Sequence, residues 1–157
     1  MKIAFLDSIY PKHVEQIYKE NPKLKNNSSK EQLEFIRWHA LSSYVRWFEI
    51  LENRGFEICT FNSNLISVNL TWAKENNYQN CSNKNIWRIG IKKIKHFNPD
   101  MIFVFSPSTY VENNFLSELL ESLNKKPTLI AWYGANCGSE EIFRYFSLTL
   151  SNSKQLV

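Results

Sequence analysis

Glycine is scarce: four residues in a chain of 157. That leaves little for loops that wrap a phosphate in backbone N–H groups. Neither G-x-G-x-x-G nor G-x-x-x-x-G-K-[ST] occurs, so the dinucleotide fingerprint and the P-loop are both excluded. The nucleophile elbow G-x-S-x-G is missing too. Cysteine is equally thin. Cys59, Cys81 and Cys137 are odd in number and show no C-x-x-C spacing, which speaks against a disulfide framework and against a zinc site. A reducing, cytoplasmic setting fits best. Long apolar runs are absent as well. The stretch after Lys2 breaks at Asp7, too short for a signal peptide or a membrane span. Net charge is +4, and its densest cluster is Lys92, Lys93 and Lys95. This reads as a solvated helix face rather than a nucleic-acid footprint, which needs more clustered charge.

What the chain does have is apolar mass: 43% hydrophobic and 15% aromatic residues, enough for one sizeable core in one domain over residues 1–157. The clearest stretch is Met101 to Phe105, apolar at every position. A strand with one wet face would alternate, so a continuous run implies burial on both faces. Asn98-Pro99-Asp100 marks its start and Ser106-Pro107 its stop. Burial on both faces calls for helices above and below a parallel sheet.

The other elements follow in order. Lys2 to Asp7 reads as the first strand, followed by a short helix over His13 to Lys19 and a polar loop from Lys23 to Asn27. Ser29 and Gln32 have capping-box spacing and open a long helix. Its apolar stripe runs through Leu33, Ile36, Ala40, Tyr44, Phe48 and Leu51, widened by Leu41, Val45 and Trp47. Gly55 sits where a left-handed C-cap needs no Cβ. His39 on this helix reads as a packed or surface histidine. Phe56 to Phe61 alternates and reads as an edge strand. Helices follow over Leu65 to Asn76 and Asn83 to Phe97. After the central strand come a helix over Tyr110 to Asn124, a strand over Thr128 to Trp132, a short helix capped by Ser139, and a fifth strand over Phe146 to Leu150. Ser151-Asn152-Ser153 resembles another opening cap, so the chain reads as the front part of a longer protein. The expectation is a Rossmann-like, doubly wound α/β fold: five parallel strands in the order 2-1-3-4-5, helices on both faces.

In such sheets ligands bind beyond the carboxyl ends of the strands. Asp7, Ser8 and Tyr10 fall there after the first strand, and Asn62 after the second. Ser106 follows the third; Trp132, Tyr133, Gly134 and Asn136 follow the fourth. A flavodoxin needs a glycine- and hydroxyl-rich loop after the first strand, and Asp7-Ser8-Ile9-Tyr10-Pro11 has no glycine. A response-regulator receiver needs an Asp ending the third strand and a Lys ending a late one; Phe105-Ser106 and Leu150-Ser151 supply neither. Hydroxyls, amides and aromatic faces remain, a lining that suits sugars among many ligands. Asp7 reads either as a base or as the cap of a loop or helix, and Trp72 reads as core.

Several segments, in order and spacing, carry a resemblance. They are Tyr10-Pro11, Ile17-Tyr18, Asn21-Pro22-Lys23-Leu24, Gly55-Phe56-Glu57, Asn62 or Asn64, Trp72-Ala73-Lys74-Glu75-Asn76, Phe97-Asn98-Pro99-Asp100 and Trp132-Tyr133-Gly134. Together they resemble the amino-terminal domain of a bacterial GT-B glycosyltransferase, of the CgeB-like kind related to family 4 enzymes. The Trp-Ala-x-Glu segment is the most specific of them. The family's pattern has Gln three residues before that Trp, where this chain has the shorter Asn69. The resemblance implies two Rossmann-like domains facing a cleft. The first holds a sugar or glycan acceptor; the second, absent from this chain, holds the nucleotide-sugar donor. On that reading Asp7 is the candidate catalytic group. Ser8, Tyr10, Asn62, Ser106, Trp132, Tyr133 and Gly134 contact substrate, and this domain binds no cofactor or metal of its own. The alternative is a stand-alone flavodoxin-like binding or regulatory module without catalysis.

Overall fold

A computed structural model describes residues 1–39, 45–79, 81–105, 107–134 and 140–151. Five strands form one sheet: β1 (Lys2–Asp7), β2 (Glu57–Asn62), β3 (Met101–Phe105), β4 (Thr128–Tyr133) and β5 (Leu148–Ser151). Every pairing is parallel, in the order β2-β1-β3-β4-β5. The seven α-helices described are α1 (Pro11–Glu20), α2 (Ser29–His39), α3 (Val45–Asn53), α4 (Ile66–Glu75), α5 (Ile86–Phe97), α6 (Pro107–Glu112) and α7 (Phe115–Ser122).

The helices cover both faces. On one, Ala4, Leu6, Ile102, Val104 and Leu129 pack with Ile94 of α5 and Leu116 and Leu119 of α7. On the other, Ile3, Phe5 and Phe105 pack with Phe48 of α3. That cover is uneven. Leu148 and Leu150, in register with Ile130 and Trp132 on the α3 face, are 50% and 36% exposed. A third cluster joins Val14 and Ile17 of α1 and Ile36 of α2 to Leu65 and Val68. Helices from opposite faces thus meet on the β2 side of the sheet.

At the amino ends of the strands, Asp100 acts as a staple. Its N–H donates to Lys2 O (2.8 Å), and its C=O accepts from Thr128 N (3.0 Å). Its carboxylate accepts from Lys2 N (2.7 Å) and from Lys125 Nζ (2.5 Å). The Lys125 hydrogen bond, with that of Lys2, holds this carboxyl below its usual range. Asn98 ends α5 in the left-handed region (φ 54°), turning the chain into the buried Pro99 and then β3.

Several expectations are corrected. The capping box belongs to Ser28 and Glu31: Glu31 N donates to Ser28 Oγ (3.3 Å) and Ser28 N to Glu31 Oε2 (2.9 Å). Ser29 instead donates N–H and hydroxyl to Glu75, and Gln32 is buried. In place of a polar loop from Lys23 to Asn27 there is a 3₁₀ turn (Pro22–Asn26) that buries Leu24. The single helix expected over Tyr110 to Asn124 is two, α6 and α7, parted by Asn114 at φ 55°. β2 does not alternate; Thr60, Phe61 and Asn62 are all buried. Lys93 is buried rather than solvated. Trp47 is 43% exposed. Ala40, Leu41, Tyr44, Ser106, Asn136, Cys137, Ser139, Asn152 and Ser153 lie outside the described residues, as does the side chain of Val45. His39 is an exposed histidine stacked on Phe35 (3.9 Å between centroids).

Two glycines are required for different reasons. Gly55 has φ 83°, closing α3 with Gly55 N–H to Glu52 O (2.9 Å) and Phe56 N–H to Leu51 O (3.1 Å). Space around it is open, so only the backbone forbids a side chain. Gly90 has the opposite problem: a Cβ would lie 2.5–2.7 Å from the Phe61 ring. That ring cannot retreat, because Phe115 stacks on it at 5.3 Å and Trp87 and Tyr110 meet it edge-on. Gly55→Val should therefore cost about 1 kcal/mol or more, and Gly90→Ala roughly 1–3 kcal/mol through overpacking. Urea unfolding measures both; an unchanged midpoint in either variant refutes the corresponding cause.

Candidate functional site

Parallel register decides which side chains share the carboxyl edge. Asp7 pairs with Asn62, Leu6 with Val104, and Phe105 with Trp132. Side chains in register point to the same face. Asp7, Asn62, Phe105 and Trp132 therefore occupy one level of the α3 face. Tyr133, one residue on, turns to the opposite face. It is buried, shares a 3.2 Å hydrogen bond with Ser108 Oγ of α6, and packs edge-on against Phe143. The sequence-selected set thus divides: Asp7, Asn62 and Trp132 come together, while Tyr133 supports the sheet from behind.

The loops beyond the strands are tied to each other. Ile9 N donates to Asn64 Oδ1 (3.1 Å), and Asn64 Nδ2 donates back to Ile9 O. This reciprocal pair joins the loop after β1 to the turn after β2. Asn69 Nδ2 donates to Asn62 O (2.9 Å), holding the same turn from α4. The Asn69 amide is therefore buried and spent on the backbone. Ser8 is exposed, Tyr10 is 77% exposed, and Gly134 is exposed beyond β4. These three border the edge from the solvent side.

Tyr110 carries no signal in its local sequence beyond a place on an apolar helix, yet it is central here. It is fully buried, and its hydroxyl donates to Asp7 O and reaches Phe61 O (3.3 Å). One phenol therefore fixes the carboxyl ends of β1 and β2 together. Burial, then the nearby Asp7 charge, push that phenol far above its ordinary range. It stays protonated and acts as a clamp.

Asp7 is the group with chemistry. It is half-buried, and its Oδ1 accepts from Ser8 N (2.7 Å). Burial raises its carboxyl from 3.8 to about 6, against the opposing effect of the Ser8 hydrogen bond. Such a carboxyl exchanges a proton near neutrality, as a general acid or base must. Among the described residues no group of three or more His, Cys, Asp or Glu side chains is arranged to hold a metal ion, and no helix is long and apolar enough to cross a membrane.

No protein-family model matches this chain, and no curated protein matches it.

The Asp7 shift has a definite sign. The folded carboxyl holds its proton more tightly than the unfolded one, so between pH 3.8 and about 6 the native state binds more protons. Stability from this group is full below that window and falls as pH rises through it. Asp7→Asn keeps an acceptor for Ser8 N but never ionises. Its melting temperature relative to the parent should be highest above pH 6 and shrink toward pH 3.8. Thermal melts across that range test this; a difference independent of pH rejects the raised carboxyl.

Proposed function

We propose that this chain is the acceptor-side domain of a GT-B glycosyltransferase. It would hold a sugar or glycan acceptor at the carboxyl edge, while a donor domain outside this chain carries the nucleotide sugar. The observation that carries the reading is the shared level of Asp7, Asn62 and Trp132 on one face of the sheet, with the carboxyl raised to about 6. The resemblance of the Trp72-Ala73-Lys74-Glu75 and Asn98-Pro99-Asp100 segments adds the family. The same reading makes the enzyme bacterial and cytoplasmic.

The chemistry assigns each group a task. An acceptor hydroxyl attacks the anomeric carbon of the donor; the bond from that carbon to the phosphate oxygen breaks, and the nucleoside diphosphate leaves. The hydroxyl proton must go to a base, and a carboxylate whose conjugate acid titrates at about 6 can take it at neutral pH. The Trp132 indole offers a flat surface to the C–H face of a sugar ring. Asn62 and Ser8 offer hydrogen bonds to its hydroxyls. Stabilising the leaving diphosphate is the donor domain's part, since this edge has no glycine-rich loop to cradle it.

Calorimetry separates the halves of the reaction. Residues 1–157 should bind members of a panel of sugars and oligosaccharides, and Trp132→Ala should weaken that binding. UDP-, GDP- and dTDP-sugars should bind weakly or not at all, with no turnover. Tight donor binding or turnover by this chain alone would overturn the half-enzyme assignment.

A further inference from the structure

A cavity of about 450 Å³ lies away from the carboxyl edge, beside the edge strand β2. It is walled by α2, α3, α4 and α5 together with Ile58, Cys59 and Thr60 of β2. Four basic residues line it, Lys30, Arg37, Lys93 and His96, of which Lys30 and His96 are exposed. Lys93 on α5 is only 8% exposed. Its ammonium lies 5.8 Å from the centroid of the Trp72 ring, and no hydrogen bond or ion pair reaches it among the described residues. Arg37 on α2 sits over the Phe48 ring at 4.7 Å. Its guanidinium makes one hydrogen bond among the described residues, Nη2 to Thr60 Oγ1 (3.1 Å), and its Nε is buried with no acceptor.

A core does not normally bury a lysine without a partner, because an unpaired charge removed from water is costly. A guanidinium with a buried, unused donor beside it repeats the same deficit. Burial pulls both cations below their ordinary ranges, and the Arg37 charge adds to the effect on Lys93. Cys59 cannot serve as the counterion: burial pushes its thiol up, toward the neutral form. Glu75 favours the Lys93 charge from a distance, but its carboxylate is taken by Ser29. The acids that line the cavity, Glu34, Glu49 and Glu52, are all exposed. The inner cations are therefore Lys93 and Arg37, and the exposed rim, with three acids against Lys30, is acidic on balance. An acidic rim repels polyanions, so one compact negative head fits and a nucleic acid or a polyphosphate does not. The remaining wall is flat and apolar: Trp72, half-buried and stacked on Tyr78 at 5.5 Å, with Phe97, Phe48 and, 66% exposed at the mouth, Trp38.

We propose that this cavity binds a small molecule with a single oxyanion head, carboxylate or phosphate monoester, on a flat apolar body. Lys93 and Arg37 hold the head, and the tryptophans flank the body. Nothing in the acceptor reading of the carboxyl edge requires this site, and it stands on different residues.

Four probes test it by tryptophan fluorescence and calorimetry on the full chain: phenyl phosphate, phenylacetate, the neutral phenylacetamide, and inorganic phosphate. At least one of the aromatic anions should bind at millimolar concentration, and the tighter of the two tells which head the site takes. Phenylacetamide should bind far more weakly, and inorganic phosphate more weakly than phenyl phosphate. Lys93→Met should lower anion affinity roughly tenfold or more, the worth of a charge-assisted hydrogen bond. Its melting temperature should stay level or rise, because it removes an unpaired buried charge. Arg37→Met should weaken binding in the same direction. Failure of both anions to bind, equal binding of phenylacetamide, equal binding of bare phosphate, or unchanged affinity in Lys93→Met would each overturn the proposal. The first three outcomes are read on the parent chain, so they stand even if a variant misfolds.

Discussion

Strand register is the constraint on which the rest of the molecule depends. A slip of one residue in any parallel pair would send every side chain of that strand to the other face. The chain prevents this at both ends of the sheet. Asp100 links β1, β3 and β4 at their amino ends through backbone and carboxylate bonds to Lys2 and Thr128. Tyr110 links β1 and β2 at their carboxyl ends through one hydroxyl. With both ends fixed, the Asp7–Asn62 pairing follows, and so does the division that puts Trp132 on one face and Tyr133 on the other.

Buried polar groups on the β2 side show what a satisfied interior looks like. Gln32 is fully buried, yet its Oε1 accepts from Tyr18 (2.8 Å) and Ser67 (2.9 Å). Its Nε2 donates to Asn27 O (2.8 Å) and Thr71 Oγ1 (3.1 Å). That one amide joins α1, α2 and α4 with its hydrogen-bonding capacity used. Such a network rigidifies the helices around it. Lys93 and Arg37, in the same helix assembly, lack this completeness, and the contrast marks the cavity between them as unlike the packing around Gln32.

The strands were legible because a short apolar run without alternation fits little besides a strand buried on both faces. Met101–Phe105 and Lys2–Asp7 needed no tertiary knowledge, whereas the order 2-1-3-4-5 rested on right-handed crossovers together with an edge position for the second strand, a position β2 holds although the alternation expected of it is absent. Gly55 was legible because a helix end followed by glycine has one common geometry. Other features depended on choices that local pattern leaves open. Ser28 and Ser29 are adjacent and each has a polar partner three residues on, so spacing alone does not choose between their boxes. Asn114 breaks an apolar periodicity that continues unchanged across it, because a left-handed asparagine costs little. Lys93 stands seven residues after Ile86, on the same stripe as Ile89 and Ile94. Its position predicts burial while its charge predicts exposure, and position prevailed. The cavity itself brings together residues from α2 and α5, which no local window spans.

The charged groups of this fold fall into two physical kinds. Asp100 has Lys125 against it, and its carboxyl is held below the ordinary range; such a pair reinforces the folded state at neutral pH. Asp7 and Lys93 are shifted the other way, each toward its neutral form, and burial is the leading cause for both. Neither forms an ion pair among the described residues, so for each the folded state opposes the charge it carries in water. Either group could be exchanged for an apolar or amide residue of similar shape with a gain in stability. Groups shifted against their charge in this way cluster at functional sites. Under the two proposals above, the partner each lacks is a proton from an acceptor hydroxyl for Asp7 and an oxyanion in the cavity beside β2 for Lys93.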